Sequence, residues 1–316
     1  MSVNRNRAGK SRFVYGPVPS RRLGFSLGVD ILPYKTCSLD CIYCQLGPTR
    51  RTAIRRRAYF PAREVVEDVH KALASGRRID VITFSGSGEP TLNKSLGRII
   101  RDLKKITRVP IAVLTNGTLL TRKDVRRDLA AADIVVPSLD AVPSAVFKAV
   151  NRPHPALRSG KVIRALALFR KEFKGQIWLE VMLVRGINDS PPHVRALKAA
   201  INKISPDKVQ LNTVVRPPAE RSARPLTVRE LEKIRRDLGG QVEVVAAFAG
   251  RRRSGAAGDL GEAITSVLRR RPVTAPEISA SLGRPPRDVA KVLASLAKAG
   301  RIRGVRHDRK TYYEPV

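Results

Sequence analysis

Seven short runs of apolar and β-branched residues recur along the first four fifths of the chain. Each run is continuously apolar and does not alternate with polar residues, which is typical of strands that are covered on both faces of a parallel sheet. The pattern therefore predicts strands at residues 25–32, 80–84, 111–115, 133–139, 177–184, 208–215 and 241–248.

Segments with helical periodicity lie between these predicted strands. Val65 and Val69 share one face of residues 61–75, and Gly76 follows as a helix terminator. Similar amphipathic segments occur at residues 95–106, 121–131, 158–172, 191–203 and 227–238. The alternation of strand and helix predicts an α/β fold, either a barrel or an open doubly wound sheet, and periodicity alone does not choose between them.

The character of the sequence changes after Ala249. Residues 250–259 combine Gly, Ser and charge without periodicity, which predicts a linker between a first domain at 1–249 and a second domain at 260–316. In the second domain, Thr274 and Glu277 have the spacing of a capping box. Helices are predicted there at 260–270, 274–282 and 286–299, followed by a basic, hairpin-like tail. Three helices and a terminal strand pair predict a winged helix-turn-helix module.

Composition narrows the class of protein. The chain has 316 residues, of which 42% are hydrophobic, too many for a disordered chain. Its 61 Lys and Arg residues against 27 Asp and Glu residues give a net charge of +34, which favours polyanionic partners such as RNA, DNA or phosphorylated ligands. The alternative is that an arginine-rich composition spreads solvated charge over every face.

The chain lacks the sequence marks of membrane insertion and of secretion. No stretch approaches the roughly 18 apolar residues that cross a bilayer. The basic N-terminus has no apolar run behind it, so it is not a secretory signal. We therefore expect a cytoplasmic protein without a membrane partner.

The three cysteines of the chain, Cys37, Cys41 and Cys44, lie within eight positions in the spacing C-x3-C-x2-C. An odd and local set does not form a disulfide framework. A structural zinc site takes four ligands, usually in two close pairs, but there is no fourth cysteine and the nearest histidine, His70, comes 26 positions later. An iron–sulfur cluster on three thiolates would leave one iron open to an external ligand. The alternative is three unrelated buried thiols.

Small and acidic residues follow the second predicted strand, in the segment SGSGEP. Small side chains at 85–88 let the backbone approach a ligand closely, and Glu89 offers acceptors to an ammonium group. Alone, this segment could also be a strand-ending turn. Further candidates follow the next three strands: Thr115, Asn116 and Gly117, then Ser138 and Asp140, then Asn188. Polar residues at these positions either contact a ligand or cap the next helix, and the sequence leaves both alternatives open.

Several arginines are candidates for phosphate binding. The alternative is that they are solvated surface residues. They are Arg21, Arg22, Arg216 and the triplets Arg55 to Arg57 and Arg251 to Arg253. The four histidines are scattered without metal-binding spacing, and no HExxH, Walker loop or GxGxxG occurs. Hydrolytic zinc chemistry and ordinary nucleotide hydrolysis are therefore not expected.

The cysteine loop, with Tyr43 directly before Cys44, resembles the cluster loop of radical S-adenosylmethionine (radical SAM) enzymes. Further motifs follow in the order of one branch of that superfamily, which includes the wyosine-forming tRNA enzymes: GPVPSRRLGFSLGVDILPYKTCSLDCIYCQLG, FSGSGEPTLN, LTNGTLL, LVRGIND and QLNTVVRPP. The resemblance covers about Tyr15 to Phe248. It implies a partial (β/α)6 TIM-like barrel with its cofactors at the carboxyl ends of the strands, followed here by the small winged helix-turn-helix domain.

The same resemblance assigns residues to cofactors. Cys37, Cys41 and Cys44 are implied to bind a [4Fe-4S] cluster, and the amino and carboxylate groups of S-adenosyl-L-methionine are implied to occupy its free iron. The segment at 85–89 matches the motif that holds the methionine amino group. The implied cofactor-binding residues, besides the cysteines, are Tyr43, Ser85, Gly86, Ser87, Gly88, Glu89, Asn116, Ser138 and Asp140.

By this resemblance the chain is expected to be an enzyme. One electron from an external donor, passed through the cluster, would cleave S-adenosylmethionine to methionine and a 5′-deoxyadenosyl radical that removes hydrogen from a substrate. The substrate is unidentified, with tRNA or another nucleic acid as the candidate. Residues 1–36 lack the additional cysteines that the archaeal wyosine-forming enzymes use for a second cluster, so we do not expect pyruvate chemistry.

An alternative from a different class is an iron–sulfur-dependent regulator, in which a labile cluster controls DNA binding by the winged helix. It accounts for residues 260–316 but leaves SGSGEP, LTNG and the polar strand ends without a role. A third hypothesis combines the two, as a repair or modification enzyme whose winged helix delivers nucleic acid. The motifs define neither the reductant nor the oligomeric state.

Overall fold

The computed structural model describes residues 11–20, 22–245, 260–308 and 310–316. Arg21, the predicted linker at 250–259 with its arginine triplet, and the end of the last predicted strand at 246–248 lie outside the described residues. Within the described residues the chain forms one sheet of eight strands and one of three.

The large sheet contains all seven predicted strands, in chain order. These seven strands run parallel. One further strand, at Val14–Ser20, was not predicted and pairs antiparallel with the next, from Val14 opposite Val29 to Ser20 opposite Gly24. The bounds are β1 Val14–Ser20, β2 Gly24–Val29, β3 Val81–Phe84, β4 Ile111–Thr115, β5 Ile134–Pro137, β6 Gln176–Leu183, β7 Lys208–Thr213 and β8 Val242–Val244.

Helices connect the parallel strands and cover the outer face of the sheet. In the second of them, Ile99, Ile100 and Leu103 are fully buried in the main hydrophobic core. Six helices match the predicted segments, and the helix at Ser144–Asn151 was not predicted. The bounds are α1 Ala62–Leu73, α2 Leu96–Ile106, α3 Lys123–Leu129, α4 Ser144–Asn151, α5 Ser159–Glu172, α6 Pro191–Ile204 and α7 Val228–Leu238.

The large sheet curls so that its inner face closes on itself. Arg22, two residues before β2, pairs with Glu180 of β6 at 2.5 Å, although four strand spacings would separate β2 from β6 by about 19 Å in a flat sheet. Leu23 and Trp178, next to these two residues in the chain and on β6, belong to one apolar cluster. Trp178 and Glu180 alternate along β6 with Leu179, which is completely buried in the core under the helices. The arrangement is therefore a partial barrel whose interior is filled with apolar side chains near the amino ends of the strands.

The C-terminal part folds as a separate layer of three helices and a three-stranded antiparallel sheet with the strand order β10-β11-β9. The expected capping box forms, since Thr274 Oγ1 accepts from the Glu277 N–H while the Glu277 carboxylate accepts from the Thr274 N–H. The bounds are α8 Leu260–Leu268, β9 Val273–Thr274, α9 Ala275–Leu282, α10 Pro286–Lys298, β10 Ile302–His307 and β11 Lys310–Pro315. We call residues 260–316 the C-terminal module.

The C-terminal module packs against β1. Tyr15 and Val18 of β1 lie in the same hydrophobic cluster as Ile264, Ile278 and Leu293 of the module. β1 therefore contributes to the core of the module as well as to the barrel. None of the described helices has both the length and the apolar content that crossing a bilayer requires.

A second set of contacts holds the module to the segment that follows β7. Tyr312 Oη donates to the Val215 carbonyl at 2.6 Å, and Arg216 pairs with Glu277 at 3.1 Å. The module thus spans from β1, at one end of the sheet order, to the carboxyl end of β7 near the other.

Candidate active site

The cysteine loop leaves the carboxyl end of β2 and is fixed by main-chain hydrogen bonds to two other segments. The Asp40 and Ile42 N–H groups donate to the carbonyls of Asn151 and Val150, both at 3.0 Å, at the end of α4. The Ala53 N–H donates to the Cys37 carbonyl at 2.7 Å. The loop is therefore held in place by the fold itself.

Each cysteine sulfur has a nitrogen donor next to it. Asn116 Nδ2 lies 3.6 Å from Cys37 Sγ, and Asn151 Nδ2 lies 3.4 Å from Cys41 Sγ. Burial, and then the Glu89 carboxylate, raise the pKa of the Cys37 thiol to about 12. Burial and the Asp140 carboxylate raise the pKa of the Cys41 thiol well above its usual value. These thiols therefore keep their protons unless a metal replaces them.

The chemistry of the three sulfurs distinguishes a cluster from a single metal ion. A zinc ion needs every thiolate at about 2.3 Å from one point. Among the residues that the structure describes, no three His, Cys, Asp or Glu side chains are placed to hold a metal ion in this way. An iron–sulfur cluster takes its thiolates on different irons. Three soft donors on one fixed loop fit the expected cluster better than a mononuclear zinc site.

Glu89 lies in the SGSGEP loop, which follows β3, and its carboxylate accepts hydrogen bonds from several neighbouring groups. Its Oε1 accepts hydrogen bonds from Thr91 Oγ1 at 2.6 Å and Thr115 Oγ1 at 2.7 Å. Its Oε2 accepts from the Asn116 N–H at 2.6 Å. Burial raises the pKa of Glu89, and these hydrogen bonds oppose that shift. An ammonium group bound here would share the carboxylate with these protein donors.

The two glycines of this loop are required by close contacts with the protein. Gly86 has a φ of 133°, and a Cβ there would lie 2.6 Å from Asp30 Cγ. A Cβ at Gly88 would lie 1.9 Å from the Thr36 carbonyl oxygen. The small residues therefore let the SGSGEP loop pack against the segment that begins the cysteine loop, which brings the two predicted motifs together.

The polar residues that follow β4 and β5 line one cavity of about 10 Å³, which has room for about one water molecule. Asn116, Ser138, Asp140 and Asn151 all contribute to its wall. Three of the candidate site residues therefore meet at one place beside the cysteine loop.

Asn116 caps the turn that follows β4 and also contacts the cysteine loop, and its contact with a ligand stays a prediction. Its Oδ1 accepts from the Thr118 N–H at 3.1 Å, at the start of a short 3-10 turn at Thr118–Thr121. Its Nδ2 donates to Ser38 Oγ at 2.9 Å in the cysteine loop. Asp140 does not cap a helix, because α4 begins after Pro143.

Asp140 joins the cysteine loop to two other segments. It accepts hydrogen bonds from Tyr43 Oη, from Asn151 Nδ2 at 2.7 Å and from the Met182 N–H at 2.9 Å. Burial raises the pKa of Asp140 to about 6, against the lowering effect of these hydrogen bonds. Tyr43 thus has a structural partner inside the protein.

Other candidate residues have structural partners. Asn188 is fully buried and donates to the Asp140 and Met182 carbonyls, both at 2.8 Å. Arg56 is buried between Asp124 at 2.7 Å and Asp128 at 2.5 Å. Of the arginines considered for phosphate binding, Arg22, Arg56 and Arg216 are paired with protein carboxylates, whereas Arg55 and Arg57 are exposed.

Four residues near the site had not been identified from the sequence. Asn151 contacts Cys41, and Lys35 Nζ lies 3.2 Å from Cys44 Sγ. Asp30 accepts from Ser87 Oγ at 2.5 Å, and Tyr15 Oη is 2.8 Å from Ser85 Oγ. Lys35 and Asp30 could have been suspected from their position just before Cys37. Asn151 and Tyr15 carry no such signal, because distant segments bring them to the site.

Comparisons with known proteins agree with these motifs. The family model of the radical SAM superfamily matches residues 31–197, just over half of the chain. The chain is 38% identical over 297 residues to a Brachyspira hyodysenteriae protein named GTPase Obg, a match that covers 93% of this chain and 44% of that protein. It thus spans less than half of that relative.

A second relative is of more similar size. The chain is 35% identical over 222 residues to a UPF0026 protein of Methanocaldococcus jannaschii, covering 70% of this chain and 69% of the other. Among solved structures, TYW1 with a lysine-pyruvate adduct bound has the same fold, with a TM-score of 0.54 at 20% identity. That similarity covers 74% of this chain and 77% of the other.

Proposed function

Because the chain belongs to the radical SAM superfamily of enzymes, which use a [4Fe-4S] cluster and S-adenosylmethionine, we propose that it reductively cleaves S-adenosylmethionine to act on a nucleic acid. The observation that carries the first part is the junction of the cysteine loop and the SGSGEP loop. The Glu89 N–H donates to the Thr36 carbonyl at 2.9 Å, directly before Cys37. The two loops therefore present their polar groups at one end of the barrel.

The three cysteines would hold the cluster, and the SGSGEP loop and Glu89 would hold the methionine part of the cofactor. When bound, the cluster would supply one electron for the reductive cleavage of S-adenosylmethionine, and the cofactor would supply the radical chemistry for hydrogen abstraction from the substrate. We assign Asn116, Ser138 and Asp140 to the rest of the cofactor because they follow neighbouring parallel strands and lie beside the cysteine loop. The small cavity that they line has room for about one water molecule and would not itself hold the cofactor.

The chain itself would position these groups and exclude water. Tyr43 of the cysteine loop and Asn151 at the end of α4 both donate to Asp140, which follows β5. Apolar side chains close the space behind them, since Leu39, Ala141 and Phe147 are buried together. A reactive radical needs such a dry and fixed environment to avoid side reactions.

We propose further that the C-terminal module is a winged helix. The order helix, strand, helix, helix and hairpin, and the sheet order β10-β11-β9, support this assignment. In such modules the last helix meets nucleic acid. Arg287, Lys291 and Lys298 are exposed and recur at helical spacing on one face of α10. This face would contact the phosphates of a nucleic-acid substrate.

The test of the first part is anaerobic reconstitution with iron and sulfide, followed by S-adenosylmethionine and a strong reductant. We expect 5′-deoxyadenosine to form with the wild type and not with Cys41→Ala, measured by chromatography. A wild-type protein that assembles the cluster and binds S-adenosylmethionine, yet yields no nucleoside under strong reduction, would overturn the proposed cleavage and favour a regulator.

The test of the second part is the salt dependence of tRNA and duplex DNA binding, followed by fluorescence anisotropy. Removing one lysine that binds a phosphate should lower the slope of log K against log salt by about 1. We therefore expect a shallower slope for Lys291→Met/Lys298→Met. The matched control is Lys71→Met/Lys203→Met, because these exposed lysines lie in the last turns of α1 and α6 and not on α10. Equal slopes in both variants would refute the assigned face.

A further inference from the structure

Arg270 reaches from the C-terminal module into the barrel. It follows α8, and its Nη2 donates to the Arg12 carbonyl at 3.1 Å. Its guanidinium carbon lies 5.2 Å from the centre of the Tyr15 ring. Its Nε lies 3.4 Å from Asp30 Oδ2, an ion pair in which both side chains are largely buried, with exposures of 12% and 6%. A single side chain of the module thus contacts three residues near the site.

Two of these contacts lie directly behind the SGSGEP loop. Asp30 Oδ2, the oxygen that Arg270 approaches, also accepts from Ser87 Oγ at 2.5 Å. The Tyr15 hydroxyl lies 2.8 Å from Ser85 Oγ. Gly86, between these two serines, packs so closely on Asp30 that a Cβ would lie 2.6 Å from Asp30 Cγ. Tyr15 and Asp30 therefore fix the backbone of three consecutive loop residues from one side.

The ion pair matters because the Asp30 carboxylate is buried. A buried carboxylate requires a nearby cation or several donors to remain charged and fixed in place. Within the described part of the chain, Arg270 is the cationic side chain within ion-pair distance of Asp30. Removal of Arg270 would leave the buried carboxylate without its cation and free to reorient, which would displace the acceptor that Ser87 uses.

We propose that Arg270 is a positioning residue that makes the C-terminal module part of the S-adenosylmethionine site. It acts through Asp30 and Tyr15 on Ser85, Gly86 and Ser87, and does not touch the cofactor. This inference rests on the proposed function, because it takes the SGSGEP loop as the cofactor-binding loop. Its consequence is reciprocal coupling: a ligand that shifts the module changes cofactor affinity, and the cofactor stabilises the docked module.

Two measurements on the reconstituted, unreduced protein test this proposal. The first is the dissociation constant of S-adenosylmethionine from equilibrium dialysis, which we expect to rise at least about 5-fold in Arg270→Met. The second is hydrogen–deuterium exchange of the peptide containing residues 85–88 without S-adenosylmethionine, which we expect to accelerate in the same variant. Arg270→Lys keeps the charge near Asp30 and should recover part of both effects.

Three controls make the result specific. Arg269→Met removes an exposed arginine one position earlier and should leave both measurements at wild-type values. Tyr312→Phe removes a docking hydrogen bond at the other end of the module, so it reports general loosening of the interface. Arg270→Met combined with Asp30→Asn should have a smaller effect than the sum of the single variants, because both act through one contact.

The outcomes separate this proposal from the one on which it rests. A wild-type protein that does not bind S-adenosylmethionine contradicts the proposed function, while the exchange measurement still tests whether Arg270 fixes the loop. A wild type that binds, with Arg270→Met unchanged in both affinity and exchange, overturns the positioning role. Equal effects in Arg270→Met and Tyr312→Phe would also overturn it, since docking in general would then be the cause.

Discussion

The carbonyl oxygen of Thr36 lies 1.9 Å from the point where a side chain at Gly88 would place its Cβ. Thr36 directly precedes the first cysteine, Cys37, and Gly88 directly precedes Glu89. The contact is fixed by a hydrogen bond from the Glu89 N–H to the same carbonyl at 2.9 Å. The geometry of the cysteine loop and that of the SGSGEP loop are therefore not independent.

The first prediction concerns Gly88→Ala. The added methyl group forces the two loops apart, and such overpacking costs about 1–3 kcal/mol of unfolding free energy. We expect this destabilisation in denaturant unfolding of the cluster-free protein, together with reduced iron and sulfide content after reconstitution. The control is Gly160→Ala near the start of α5, where the nearest atom would be Arg164 Nη1 at 3.6 Å. Wild-type stability and cluster content in Gly88→Ala would contradict the tight junction.

The second prediction concerns Arg56, which is buried between Asp124 and Asp128 and also donates to the Thr91 carbonyl at 2.8 Å. Arg56→Met removes the buried cation beside Asp128 and one of the two arginines, Arg56 and Arg122, that pair with Asp124. Breaking a buried pair in this way costs about 3–5 kcal/mol. Denaturant unfolding checks this value. Arg57→Met, at the exposed neighbouring position, should stay within about 0.5 kcal/mol of wild type. Similar destabilisation in both variants would show that burial of Arg56 is not the cause.

The third prediction concerns Lys35, whose Nζ lies 3.2 Å from Cys44 Sγ. A positive charge and a hydrogen bond at a cluster ligand stabilise the reduced, more negative state of the cluster. We therefore expect Lys35→Met to lower the midpoint potential of the reconstituted cluster in a redox titration followed by electron paramagnetic resonance. Lys94→Met, at an exposed position in the loop that follows β3, is the control. An unchanged or higher potential in Lys35→Met would refute this role.

The sequence was sufficient to predict the parallel sheet and most of its helices. Residues 111–115 were predicted as a strand and form β4 with the same bounds, and residues 191–203 form α6 with one further residue. These elements are readable because one or both faces are buried along their whole length, so apolar periodicity reports them directly. The capping box of Thr274 and Glu277 could also be predicted, because it joins residues that are only three positions apart.

The elements that were missed depend on distant partners. β1 reads VYGPVPS, with two prolines and no continuous apolar run, and it forms because it lies between β2 and the C-terminal module. α4 has eight residues and follows a proline. Neither element has the length or the periodicity that a pattern analysis needs. Both nevertheless contribute to the site, through Tyr15 and Asn151.

Within the site, the sequence was sufficient to predict which residues matter but not which other residues they contact. The spacing of the cysteines predicted their common function, and the small residues of SGSGEP predicted a close approach. The structure shows Gly86 packed on Asp30 and Gly88 on Thr36, contacts that the sequence interpretation did not include. The expected approach of this loop to a ligand stays a prediction. Contacts between segments so far apart in the chain are set by the tertiary fold, which no local pattern encodes.

The last prediction separates the two functions of Asn116. Its Oδ1 caps the 3-10 turn through the Thr118 N–H, and its Nδ2 reaches Ser38 and Cys37. Asn116→Ser keeps a capping oxygen but is too short to reach the cysteine loop, so stability should stay within about 0.5 kcal/mol of wild type. Asn116→Ala removes the cap as well and should cost about 1 kcal/mol in denaturant unfolding. Both variants should weaken S-adenosylmethionine binding in equilibrium dialysis, because each lacks the Nδ2 donor that fixes Ser38. Normal binding by Asn116→Ser would mean that Asn116 contributes only the cap.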